Sequence, residues 1–195
     1  MKLLSDVICE ANLWMCLRER GKVVPGSLRE GHNVFTVAGR NWLSKLCAWK
    51  TVGSPGADGP FTERRVRWMG VGTGSLLEVT TVSALSVPLL ATSTDYIAPV
   101  QTPEFPSSTS VRFIKEFGAN EITTTGVPVT VTEAGLFADV NPAAGAPTED
   151  IPVGGGTTTT LAPTLGSNPP VAYKSFEGLT KTVDFTLEVR WDFRF

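Results

Sequence analysis

The last thirteen residues constrain this chain more than any other segment. Val183, Phe185, Leu187, Val189, Trp191, Phe193 and Phe195 alternate without a break against Asp184, Thr186, Glu188, Arg190, Asp192 and Arg194. Successive side chains of a strand point to opposite faces, so this period of two predicts a β-strand with one apolar and one charged face. The apolar face has to meet a core, and the charged face meets water or a charged partner. Thirteen residues exceed the usual strand of about 5–6. Such a strand belongs to a large sheet or projects towards another subunit.

The same period predicts strands over Arg65–Val71, around Val111 to Phe117, and over Val127–Phe137, where Pro128 favours a strand start or sheet edge. The N-terminal part reads differently. Leu3, Leu4, Val7, Ile8, Ala11, Trp14 and Met15 recur at helical spacing, and Gly21 with Val24-Pro25-Gly26 supplies a stop. A second helix is predicted over residues 37–50, with Thr36 as N-cap and an apolar stripe of Trp42, Leu43, Leu46, Cys47 and Trp49. The predicted class is α+β, mainly β: an antiparallel β-sandwich-like domain with one or two N-terminal helices and a long extended loop or arm. Residues 1–35 form the helix and linker, a docking element, and residues 36–195 form the β-rich assembly domain.

Charge is scarce. Only 18% of the 195 residues are Asp, Glu, Lys or Arg, against about 25% in an ordinary soluble domain. The net charge of −2 excludes a polyelectrolyte binder of nucleic acid. Residues 1–70 hold 11 Lys and Arg against 6 Asp and Glu, and residues 71–195 hold 6 against 13, so the two halves could form opposite poles or interleave. The tract 139–170 is mostly Ala, Gly, Pro and Thr, with Glu149 and Asp150 its main charges after Asp139. A loop of that length is either a surface insertion or an arm ordered against a neighbouring subunit.

Residues that carry chemistry are few. Cys9, Cys16 and Cys47 contain no C-x-x-C pair and read as buried small hydrophobes, with a cross-link between subunits the alternative. One histidine, His32, supports neither a zinc site nor a Ser-His-Asp triad. Gly70-Val71-Gly72-Thr73-Gly74-Ser75 lacks the Lys-Ser/Thr of a phosphate loop and the spacing of a dinucleotide fingerprint. Arg64, Arg65 and Arg67 beside Trp68 form a short basic cluster that could meet phosphates or pair with the acids of the terminal strand. Glu133 follows an alternating run and precedes Ala134-Gly135, which reads as a strand-end carboxylate satisfying backbone donors. No catalytic residue, cofactor, metal or small-molecule substrate is expected. No stretch reaches the ~20 apolar residues of a membrane span, and Asp6 and Glu10 interrupt any signal peptide. The expectation is synthesis in a cytoplasm.

The order of the pieces resembles the tail-collar and fibre-anchoring family of tailed-bacteriophage virion proteins, with related neck and baseplate proteins. The matching pieces are Gly39-Arg40-Asn41-Trp42-Leu43, Met69 to Gly74, Val131-Thr132-Glu133-Ala134-Gly135-Leu136-Phe137, Tyr173-Lys174 and the strand from Val183. The resemblance spans residues 36–195. It implies a multi-copy ring in the virion at the collar, neck or baseplate, made in the host bacterial cytoplasm, with other virion proteins and copies of itself as partners. It implies structural turns at Gly70, Gly72, Gly74, Glu133 and Gly135, none catalytic. Trp14, Pro142, Thr157, Thr160 and Pro169 are the expected assembly interface. The alternative function is a carbohydrate- or receptor-binding β-module of a tail fibre.

Overall fold

The computed structural model describes residues 10–40, 66–89, 97–101, 103–123, 127–138, 149–153, 156–160 and 168–194. The chain is mostly β. In order, the first strands are β1 (Glu10–Glu19), β2 (Lys22–Val23), β3 (Arg29–His32), β4 (Val34–Phe35), β5 (Val66–Gly72), β6 (Ile97–Pro99) and β7 (Glu104–Ser107). They continue with β8 (Ser110–Phe117), β9 (Val129–Ala138), β10 (Glu149–Val153), β11 (Gly156–Thr160), β12 (Ala172–Lys181) and β13 (Thr186–Arg194). One sheet runs β2-β1-β13-β8-β7 with β3 also on β1, a second runs β4-β12-β9-β5-β6, and β10 and β11 form a separate hairpin. Every pairing among the described residues is antiparallel.

The terminal alternation is realised in β13. Leu187, Val189 and Trp191 are fully buried and Phe193 nearly so, while the residues between them are only half-covered. The strand is shorter than predicted, because Asp184 N donates to Thr182 Oγ1 and Phe185 N to Thr182 O, closing a turn ahead of it. Phe195 lies outside the described residues. Against this face pack Leu13 and Met15 of β1 and Met69, Val71, Val131 and Leu136 of the second sheet, so one core is shared by both sheets. Each such side chain contributes roughly 1.5–3 kcal/mol on full burial.

The predicted N-terminal helix is not formed in the described residues: 10–19 are strand β1. Ala11, Leu13, Met15 and Leu17 are buried, and β13 places Phe193, Trp191, Val189 and Leu187 beside them. Residues 11–17 are apolar at both parities, so helical and strand periods both fit the local sequence. Nine residue pairs with β13 decide between them. The stop signals hold even though the element differs, with Gly21 and Gly26 at φ +80° and +77° in the turns that follow. Residues 10–35 thus supply β1 to β4 and pair with both sheets. Of the predicted helix 37–50, residues 37–40 form a helical turn, capped by Thr36 Oγ1, which accepts from Gly39 N at 3.0 Å. Residues 41–50 lie outside the described residues.

Charges on the outer face of the first sheet pair within the chain. Arg112 grips Asp192 with two bonds of 2.7 and 2.9 Å, Arg18 meets Glu188 at 2.6 Å, and the Arg190 guanidinium lies 4.5 Å from the Trp14 ring centre. Arg18 comes from the basic half of the sequence and Glu188 from the acidic half, so the halves interleave at this pair. Cys16 is fully buried on this sheet, and burial, followed by the nearby Glu188, pushes its thiol up. β5, which carries Arg67, lies in the second sheet between β9 and β6 and not beside the terminal strand. Arg64 and Arg65 lie outside the described residues.

Candidate functional site

The second sheet carries a loop, residues 73–89, that leaves β5 at Gly72 and returns to bridge it at Pro88. Its ends are sewn to the sheet by Thr73 N donating to Val87 O (2.8 Å) and Leu89 N to Val71 O (3.0 Å). Beneath it sits Glu133, fully buried in β9 beside Gly72 of β5 and Ser175 of β12.

A buried carboxylate is costly unless its acceptor sites are filled. Here Glu133 Oε1 accepts from Val87 N at 2.9 Å and Gly74 N at 3.2 Å. Oε2 accepts from the Tyr173 hydroxyl at 2.9 Å and Ser86 N at 3.1 Å. Tyr173 Oη in turn accepts from Leu76 N at 3.1 Å, and Thr132 Oγ1 donates to Gly74 O at 2.6 Å. One sheet side chain therefore satisfies backbone donors at both ends of the loop. A second carboxylate works in reverse: Glu78, from the loop, accepts from Ser175 N and Oγ and pairs with Lys174 at 2.9 Å. The loop's inward side chains, Val82 and Leu85, complete a small core with Trp68, Phe137 and Tyr173.

The glycines fit this arrangement. A Cβ on Gly74 would lie 2.7 Å from Glu133 Oε1 and 2.8 Å from Val87 N, and one on Gly72 would strike the same carboxylate. Gly72 and Gly74 are thus positions of close backbone approach. The predicted turns are corrected: Glu133 and Gly135 lie inside β9, and Gly70 and Gly72 inside β5. Gly70 and Gly135 are cross-strand partners. Residues of small side chain and a polar residue within an alternating run resemble a turn locally, but pairing on both sides keeps β9 extended.

The geometry bears on chemistry. A general acid or base must reach the proton it moves. Glu133 has no exposed surface, and both oxygens are engaged by two donors each. Among the described residues no group of His, Cys, Asp and Glu has the arrangement of a metal site, and His32 is exposed on β3. What the constellation does is hold a loop.

Burial, and then the Glu133 carboxylate, push the Tyr173 phenol above its ordinary 10.0. A raised phenol contributes stability that is whole below pH 10 and is lost as pH climbs towards the folded value. Urea unfolding from pH 9 to 11.5 is therefore expected to show a steeper loss above pH 10 in the wild type than in Tyr173→Phe. Parallel curves would contradict the coupling.

The loop exposes four large apolar side chains among its Thr and Ser residues: Leu77 is 81% exposed, and Leu76, Val79 and Val87 are exposed too. Val37 joins them, since its N–H donates to Thr80 O at 2.7 Å. The only charge in residues 73–89 is Glu78, already paired. Sequence reasoning missed this surface, because Leu76-Leu77, Val79, Val82, Leu85 and Val87 follow neither helical nor strand period. It also missed Glu78, for which no local signal exists.

Of the expected interface residues, Trp14 is half-buried with one face taken by Arg190, and Pro169 is exposed. Thr157 and Thr160 lie in β11, at register with Pro152 and Glu149. Pro142 lies outside the described residues. The structure does not bring these five together with the glycine and Glu133 set through any described pairing. No protein-family model, curated protein or solved structure matches this chain.

Proposed function

We propose that this chain is a structural component of a tailed-phage virion, at the collar, neck or baseplate, assembling as a multi-copy ring with no catalysis. The observation that carries the assembly part is the loop 73–89: a rigidly held surface segment that turns Leu76, Leu77, Val79 and Val87 to solvent. Leu76 and Leu77 are adjacent, with Val79 two residues on, and clustered exposed apolar side chains mark interaction sites. A loop already fixed by Glu133 and Glu78 loses little further entropy on docking. The virion assignment itself rests on the resemblance of the motif order. On this reading the two sheets pack as a sandwich-like domain, and the partners are copies of this chain and other virion proteins. The place of synthesis is the host bacterial cytoplasm.

The carbohydrate-binding alternative finds less support. Sugar stacking needs exposed aromatic faces, whereas Trp68 and Trp191 are buried and Arg190 covers a face of Trp14, which leaves Phe105 on β7, 76% exposed, as the large exposed aromatic among the described residues. Trp42 and Trp49 lie outside the described residues. Cryo-microscopy of intact particles should place many copies in the collar, neck or baseplate. Absence from particles, with selective binding on a glycan array, would favour the alternative.

Leu77→Asp is expected to raise the dissociation constant for self-association about tenfold, or about 1.4 kcal/mol. Its stability should change by less than about 0.5 kcal/mol, as for other surface substitutions. Sedimentation velocity across a dilution series checks this; an unchanged distribution would remove the loop from the interface.

A further inference from the structure

Among the described residues the hairpin β10–β11 adds to neither large sheet. A lone two-stranded hairpin is marginal in water and gains stability from a third strand or from packing. The other sheet edges are blunted in the manner of soluble proteins. β2 and β4 are two residues long, β6 three, β3 and β7 four, and β6 and β7 contain Pro99 and Pro106. β11 is five residues long with neither proline nor charge.

Register identifies which edge of the hairpin keeps its full set of backbone donors. Pro152 stands opposite Thr157. Having no N–H, proline sits where its backbone faces away from the paired strand. Antiparallel residues alternate between bonded and non-bonded pairs. Pro152 and Thr157 therefore form a non-bonded pair, and Thr157 and Thr159 turn their N–H and C=O groups to the outer edge of β11. The outer edge of β10 lacks a donor at Pro152, and β10 also carries the hairpin's two charges, Glu149 and Asp150.

We propose that the outer edge of β11 pairs, antiparallel and about a two-fold axis, with β11 of a second copy of this chain. The result is a four-stranded sheet β10-β11-β11-β10. Full overlap of residues 156–160 places Thr158 opposite its own counterpart and Thr157 opposite Thr159 of the partner subunit. All four acidic residues then lie on the outer strands, and the central pair is neutral. The inference rests on the multi-copy reading, but it uses a different surface from the loop 73–89.

Thr158→Cys in the full chain tests the register. Under mild oxidation it should form a disulfide between the two introduced thiols, located by peptide mass mapping, at a level above the wild-type background. Thr157→Cys should not, because two residues of offset on each strand carry its counterpart beyond the roughly 7 Å Cα separation a disulfide spans. Thr159→Pro, which removes one outer N–H per copy, should raise the dissociation constant of the pair at least about tenfold. Thr158→Cys combined with Leu77→Asp should still cross-link. A wild type that self-associates while Thr158→Cys stays uncross-linked overturns the hairpin contact alone. Cross-linking through Thr157→Cys instead overturns the register. A protein monomeric at all concentrations, with no cross-link, overturns both readings.

Discussion

Glu133→Ala is expected to destabilise the fold by about 3–5 kcal/mol, the largest effect of any single substitution at the loop. The reason is the number of groups left behind. Removing the carboxylate strands Gly74 N, Ser86 N, Val87 N and the Tyr173 hydroxyl in a site without solvent. An unsatisfied buried donor costs roughly 1–3 kcal/mol, and partial collapse or entry of water offsets some of the total. Glu133→Gln separates charge from shape. The amide oxygen can retain one pair of donors, and its NH2 can donate to the Tyr173 oxygen. Ser86 N–H then faces another donor, so about 1–3 kcal/mol should be lost. Urea unfolding with a constant m-value is the measurement. A Glu133→Ala loss below about 0.5 kcal/mol, the range of surface substitutions, would mean the carboxylate does not hold the loop.

Gly72→Ala is expected to cost about 2–3 kcal/mol, through overpacking rather than lost bonds. The added methyl would lie 2.6 Å from Val87 O and against the Glu133 carboxylate. Neither neighbour can withdraw freely. Val87 O accepts from Thr73 N, the carboxylate is held by four donors, and Leu89 N to Val71 O fixes the returning strand. Gly118→Ala is the control, because its nearest contact is Glu121 Oε2 at 3.8 Å; its stability should stay within about 1 kcal/mol of wild type. Equal effects at both positions would show that glycine flexibility, not close approach, sets the cost at Gly72.

Much of the sheet framework is legible in the sequence because burial on one face imposes a period of two. β13, β5, β8 and β9 each stand close to where alternation places them. β1 is not legible for the same physical reason in reverse. Trp14 and Cys16 are apolar on the face opposite Leu13 and Met15, so the alternation is erased and helical spacing fits as well. Only the long-range pairing with β13 resolves it. The role of Glu133 as a backbone acceptor was legible from its setting, whereas its position in mid-strand was not, because the donors come from residues 74, 86 and 87, nearly fifty or more positions away. Tyr173 and Lys174 stood out as a motif, yet their partners Glu133 and Glu78 are joined to them only by folding. Buried Lys181, which donates to Ala119 O at 2.9 Å and whose ammonium is pushed down by burial, carries no sequence signal at all.

The scarcity of charge also gains a location. Residues 73–89 carry one charge, and the hairpin strands carry two, both on β10. On β1, β8 and β13 several charges meet inside the chain, as in Arg18 with Glu188 and Arg112 with Asp192. The two segments left poor in charge are those proposed to meet other subunits.

Native mass spectrometry of the purified full chain tests the multi-copy reading most directly. Species at defined multiples of 20.9 kDa, shifted towards the monomer by Leu77→Asp, are the expected result. A single 20.9 kDa species at every concentration, for wild type and variant alike, would contradict it.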